Sequence, residues 1–197
     1  MRANKRPGGA RCRATEKQKG FAAVEFALVA IIYFTLLFGM IELARVMYIC
    51  NTLQEVTRRA AAAAVNTDFT IPSALNRVRE NAIFRDGPGM LAFADPVTDA
   101  HIRIDYLSVA RVANSMHTEA VTAMPSSPAR NKLNCADDPN GSSCVRLVRV
   151  RVCMPGAAGA NSCEPVPYKT LVSLIPIPFD LPISTTIMPA ETLGLPP

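Results

Sequence analysis

Apolar and polar positions change rhythm twice along this chain. From Phe21 to Ile41 apolar and small residues are almost continuous, with Glu25 as the single charge in 21 residues. At ~1.5 Å rise per residue, a helix of that length covers roughly 31 Å, the thickness of a bilayer's hydrocarbon core. Beyond it, Leu43, Val46, Met47, Cys50, Leu53, Ala60 and Ala64 recur at spacings of three, four and seven. That period predicts an amphipathic continuation of the same helix to about residue 65. Glu42–Arg45 and Glu55–Arg58 or Arg59 would be neighbours on its polar side, and "AAAAAV" is rich in the strongest helix former. "TDFTIPSALNRVRENAIF" predicts a second helix, with Pro72 in its first turn and Thr70 or Ser73 as its cap, broken by "RDGPGM".

After that break the period falls to two. "HIRIDYLSV" and "VRLVRVRVCM" alternate as half-buried strands do. "YKTLVSLI" and "LPISTTIMP" predict two more strands, separated by "PIPFD". Proline gives no donor to a ladder, so these late strands should be short or at an edge. The expected fold class is α+β: a long N-terminal transmembrane helix that extends outward, then a short helix and a small antiparallel β-sheet with two disulfides.

Charge adds orientation. Of the 21 Lys and Arg residues, Arg2, Lys5, Arg6, Arg11, Arg13, Lys17 and Lys19 fall in residues 1–20, against Glu16 alone. The remainder carries 14 basic and 15 acidic residues. The high pI therefore belongs to a leader, and a nucleic-acid reading, which needs a basic stripe on a folded domain, is disfavoured. A basic excess before the span marks the N-terminal side as cytoplasmic. A secretory signal peptide would have a shorter apolar region followed by a small-residue cleavage site, and "MIELARVMYICN" offers none. The expected organisation is a basic cytoplasmic leader (1–20), a transmembrane helix (21–42), its extension (43–66) and an extracytoplasmic α+β domain (67–197).

Glu25 is the anomaly in this picture. A carboxylate at a bilayer centre costs roughly 2.5–3.5 kcal/mol on insertion scales, and less near the end of a span. No cation lies at i+3 or i+4, where Leu28 and Val29 stand. A cut between Gly20 and Phe21 would create one, since the new α-amine would start the helix and Glu25 would become the fifth residue. A basic stretch ending in Gly, the run "FAAVEF" and a Glu at that fifth place resemble a type IV prepilin processing site. The longer stretch "KGFAAVEFALVAIIYFTLLFGMIELARVMYICNTLQEVTRRAAAAAV" resembles, more narrowly, the TadE-like family, minor pseudopilins of tight-adherence (Flp-type) pilus systems. The resemblance is strong over residues 20–65 and returns weakly in "VRLVRVRVCMP" and "VSLIPIPFDLPISTTIMPAE".

The resemblance implies roles residue by residue. Gly20 would be the last leader residue read by a membrane prepilin peptidase, and Phe21 the new N-terminus. Glu25 would pair with the N-terminal amine of a neighbouring subunit or be read during processing. Phe26 completes the family's Glu-Phe pair. Implied partners are the inner membrane, the peptidase, other pilin and pseudopilin subunits and the pilus assembly platform. The implied location is the inner membrane, single-pass, with the C-terminal domain periplasmic, and the pilus after assembly.

Six cysteines fit an extracytoplasmic domain, where disulfides are the default. Cys12 lies in the leader. Cys135, Cys144, Cys153 and Cys163 bound two short loops rich in turn formers, "CADDPNGSSC" and "CMPGAAGANSC". The spacings differ from CxxC redox and zinc motifs. They favour Cys135–Cys144 and Cys153–Cys163, with the other pairings left open. Cys50 falls on the helix stripe as a buried thiol.

Chemistry is hard to find. His101 stands at a strand start and His117 in "NSMHTEAV", neither in a metal spacing, and no G-x-S-x-G, P-loop or G-x-G-x-x-G occurs. Asp137, Asp138 and Asn140 have the residue types of a calcium site without the spacing of an EF-hand loop. The expectation is a non-enzyme with no cofactor and no metal. The contrasting reading is an uncleaved single-pass anchor carrying a small periplasmic or extracellular binding domain, which has no need of Glu25 at its place after Gly20.

Overall fold

In the computed structural model, which describes residues 18–113, 115–156, 162–172, 178–190 and 192–194, the apolar run and its continuation form one helix, α1 (Gln18–Ala64). Residues up to Ile41 and residues Glu42–Pro197 form two separate compact units. In the first, nearly every side chain from Gly20 to Ile41 is exposed. Its most apolar window reaches a mean hydropathy of 2.3, so by length and composition this helix can cross a membrane. Most of the leader, with Cys12, lies outside the described residues.

In the second unit α1 has one buried stripe: Glu42, Ile49, Leu53, Val56, Thr57, Ala60, Ala61 and Ala64. The predicted stripe is right at Leu53, Ala60 and Ala64 and wrong at its start, because Leu43 and Met47 are exposed. Cys50 is half-buried, not buried, and among the described residues it is in no disulfide. Glu42, expected on the polar side, is 1% exposed. Glu55 and Arg58 do pair outside, at 2.9 Å. Arg59 instead lies over the ring of Phe84, 4.4 Å from its centroid.

The second helix, α2 (Pro72–Ala82), starts with Pro72 in its first turn. Its cap differs from expectation: Ile71 holds the cap position without a side-chain bond, and the hydroxyl and amide of Thr70 both bond Asp68 Oδ1. The helix ends before "RDGPGM", because Phe84 adopts φ +62° and the Arg85 amide reaches back to the carbonyl of Glu80. A left-handed residue there is the usual way to satisfy final carbonyls, with Phe in a place that glycine normally takes.

A short 3₁₀ turn (Asp99–His101) leads into β1 (Ile102–Val112). β2 (Ser115–Ala120), β3 (Leu147–Val152) and β4 (Thr185–Pro189) complete an antiparallel sheet of order β2-β1-β3-β4. β1 and β3 match "HIRIDYLSV" and "VRLVRVRVCM". β4 matches "LPISTTIMP" and stands at an edge, as its prolines require. β2 has no apolar alternation to announce it. Val112 pairs with Ser115 across a two-residue connection, and Ala113 takes the positive φ (+52°) that primed hairpin turns demand. The strand expected over "YKTLVSLI" is absent from its described part, Tyr168 to Val172. There the Tyr168 hydroxyl and Leu171 amide bond Glu42, and the Tyr168 amide bonds the Phe179 carbonyl. The rest of that strand, and the first two residues of "PIPFD", lie outside the described residues.

Register divides the sheet into two chemically distinct faces. Ile102, Ile104 and Tyr106 pair with Val152, Val150 and Val148. These six join one apolar cluster with Ile49, Leu53, Val56 and Ala60 of α1. On the other face Asp105 accepts from Arg103, Arg149 and Arg151, at 3.0, 3.2 and 2.6 Å. Alternation with arginine thus gives a charged face that is itself largely covered.

A third helix, α3 (Pro128–Asp137), was not legible as a helix. Ser127 caps it, accepting from the Arg130 amide at 3.1 Å, with Pro128 in its first turn. "CADDPNGSSC" is therefore part helix and part turn. Cys135 on α3 bonds Cys144 (Cα–Cα 4.8 Å), and Cys153, just past β3, bonds Cys163 (Cα–Cα 5.1 Å). Buried Asn131 clamps the same junction, accepting from the Val145 amide at 2.7 Å and donating to the Val145 carbonyl at 3.1 Å.

Candidate functional site

Gly20, Phe21, Glu25 and Phe26 all lie within the first three turns of α1. Helical geometry sets Phe21 and Glu25 one turn apart, at i and i+4. Phe21 and Phe26 are each 75% exposed, and Glu25 is exposed between them. A Cβ built on Gly20 would meet nothing within 4 Å. Among the described residues no cation pairs with Glu25. The segment is an unpartnered apolar rod with one carboxylate near its start.

Sequence reasoning missed a second carboxylate. Glu42 begins the second unit and is almost wholly buried. Its Oε1 accepts from the Tyr168 hydroxyl at 2.6 Å and the Leu171 amide at 2.9 Å, and lies 3.5 Å from an Arg45 nitrogen. Among the described residues Oε2 is buried without a hydrogen-bond partner. Arg45 donates to the carbonyls of Phe93 (2.8 Å) and Lys169 (2.7 Å) and lies over the Tyr168 ring, 5.2 Å from its centroid. Burial, then the bond to Glu42, pushes the Tyr168 hydroxyl up to about 12, so it stays a donor. A signal for Glu42 existed: seven and fourteen residues before Ile49 and Val56 respectively, it occupies the same helical phase.

The candidates for chemistry do not converge. His101 is buried, and its Nδ1 accepts from the Thr98 amide at 3.0 Å. Burial lowers its pKa, partly opposed by the nearby charge of Asp99. His117 is exposed on β2, 2.8 Å from the Ser115 hydroxyl and opposite Ala110. Ala110 is eight residues along β1 from its start, roughly 26 Å at strand rise. Asp138 Oδ1 accepts from the Asn140 amide at 3.0 Å, closing a turn, and Asp137 ends α3. Among the described residues no group of three or more His, Cys, Asp or Glu is placed to hold a metal ion.

The geometry therefore concentrates attention on α1, and the comparisons with known proteins fall on the same element. A family model described as TadE-like protein matches residues 20–62, from Gly20 almost to the end of α1. No curated protein and no solved structure matches the chain. Over residues 20–62, and so over most of α1 but under half of the full sequence, this chain is similar to the TadE-like family.

Proposed function

We propose that this chain is a minor pseudopilin, a non-enzymatic subunit cut between Gly20 and Phe21 by a prepilin peptidase and built into, or priming, a tight-adherence pilus. The observation that carries the reading is where the family match begins: at Gly20, with Glu25 five residues on. Cleavage there leaves an α-amine one helical turn from Glu25. Charges in a low-dielectric medium attract far more strongly than in water. Neither a lone amine nor a lone carboxylate is comfortable in hydrocarbon, so each is best satisfied by a neighbouring subunit inserted in register. In this reading residues 1–20 are a cytoplasmic leader, 21–42 span the inner membrane, 43–66 extend the helix and 67–197 are periplasmic. The exposed apolar surface of α1 suits lipid first and the helices of other subunits afterwards.

The test is the mature N-terminus, read by mass spectrometry on protein from cells with the matching peptidase. The expected result is a chain beginning at Phe21, and accumulation of precursor when Gly20 is replaced by Leu. A chain that keeps Arg2 or Met1 in those cells favours the contrasting function, an uncleaved anchor for a binding domain.

A further inference from the structure

β2 pairs with β1 from Leu107 to Val112, whereas β3 pairs with it from Ile102 to Leu107. The first half of β1 therefore has one side that β2 does not reach. The carbonyls of His101 and Leu107 accept on the β3 side, from the amides of Cys153 and Arg146, each at 2.9 Å. On the other side the Tyr106 carbonyl accepts from the Val121 amide at 3.1 Å, and the Ile102 carbonyl from Arg79 Nε at 3.2 Å. Backbone groups alternate along an antiparallel ladder, so the amide and carbonyl of Ile104 face that other side too. Among the described residues no hydrogen bond meets them there.

A cavity of about 440 Å³, a ligand-sized volume, is lined by Arg79 of α2, by Asp99 and His101 at the entry to β1, and by Ile104. His101 is 8% exposed. Its Nδ1 accepts from the Thr98 amide, so the proton of the neutral ring sits on Nε2. Among the described residues that Nε2–H has no acceptor. Arg79 is held through Nε by the Ile102 carbonyl and through Nη1 by Asn76 Oδ1 at 2.8 Å, which leaves Nη2 without an acceptor among the described residues. Asp99 is the one acidic residue of the lining, and its Oδ1 already accepts from the Gly89 amide at 2.9 Å. Arg79 and Arg103 outnumber it, so the lining is net positive. Met154 and Pro155 add an apolar wall.

We propose that this cavity takes the C-terminal end of a partner peptide in extended conformation, its carboxylate bonded by His101 and Arg79 and its backbone by Ile104. Two unused donors match the two oxygens of a carboxylate, and one excess positive charge suits a monoanion better than a phosphate dianion. Ile104 is three residues from His101, roughly 10 Å at strand rise, so the last three or four residues of one peptide reach both. An extended peptide gains main-chain bonds by adding to such an edge. The site lies wholly within the second unit and is independent of cleavage after Gly20.

The chain has two histidines, so histidine-selective isotope labelling of the full-length protein in detergent gives two imidazole signals, with exposed His117 as the internal control. His117→Asn assigns them. The probes are acetyl-trialanine with a free C-terminus, the same peptide as its C-terminal amide, acetate and inorganic phosphate, all at constant ionic strength. Expected is a saturable shift of His101 Nε2 with the acid peptide, none at His117, and none with the amide. Arg79→Gln should weaken the acid peptide roughly tenfold or more, as the loss of one hydrogen bond to a charged group does. The titration of the unsubstituted protein decides even where that variant does not fold. No saturable shift with the acid peptide, or equal shifts with acid and amide, overturns the proposal. Acetate acting at concentrations as low as the acid peptide overturns the peptide in favour of a free small carboxylate. Phosphate acting at lower concentrations than either overturns the carboxylate.

Discussion

Burying a carboxylate with one oxygen bonded twice and the other not at all is expensive, and Glu42 stands in that state. What holds it is the surrounding set of donors: Tyr168, whose hydroxyl is kept protonated, the Leu171 amide and the adjacent guanidinium of Arg45. Removing one partner of a buried ion pair costs about 3–5 kcal/mol, because the other charge is left behind. Glu42→Ala should fall at the lower end of that range, since the loss of an unsatisfied Oε2 offsets part of the penalty. Tyr168→Phe should cost about 1.5–3 kcal/mol, as for a hydrogen bond to a charged group. The two losses should be clearly non-additive in a double-mutant cycle. Denaturant unfolding of the detergent-solubilised protein measures all three, and additive losses would show that the two residues do not act as one network.

At the scale of elements, the disulfides and the buried amide of Asn131 hold the ends of β3. One bond joins α3 to the segment entering β3, and the other joins the segment leaving it to residue 163. With sequence separations of 9 and 10, each contributes about 2–3 kcal/mol by chain entropy. Cys135→Ser and Cys163→Ser, at the less buried member of each pair, should each lower stability by about that amount, and their effects should be nearly additive because the loops share no residue. Non-reducing peptide mapping of protein recovered from the periplasmic face should find 135 joined to 144 and 153 joined to 163. Free thiols at all four positions would contradict both the pairing and the proposed compartment.

For the whole molecule, the telling substitution is at Glu25. Glu25→Leu makes the apolar run more apolar, so insertion should be unchanged or improved. A protein that serves only as an anchor should then keep its function. In a subunit that docks by matching carboxylate to amine, a neighbour's amine is left unpaired in hydrocarbon. Piliation and adherence should therefore fall steeply with Glu25→Leu at normal membrane abundance, and Glu25→Asp should lie between, because its charge is drawn back by one methylene. Normal pili with Glu25→Leu would defeat the assembly role. Much of this frame was set by the chain alone. The long apolar helix, the strands around Ile102 and Val150, the edge position of β4 and the distinctive spacing of Gly20 and Glu25 are local facts, carried by period, proline and charge over a few neighbouring residues. β2 and α3 were not legible because nothing in their own apolar pattern marks them: one is an exposed ribbon held by pairing to β1, the other a polar helix held by Ser127 and a disulfide. Glu42 shows the limit most clearly. Its helical phase was written in the sequence, but whether a carboxylate on that phase turns inward depends on donors that arrive from Tyr168 and Leu171, more than 120 residues away. Local periodicity determines which face of a helix is available for burial; only the tertiary structure decides what meets that face, because a buried charge is tolerated solely where distant parts of the chain bring it partners.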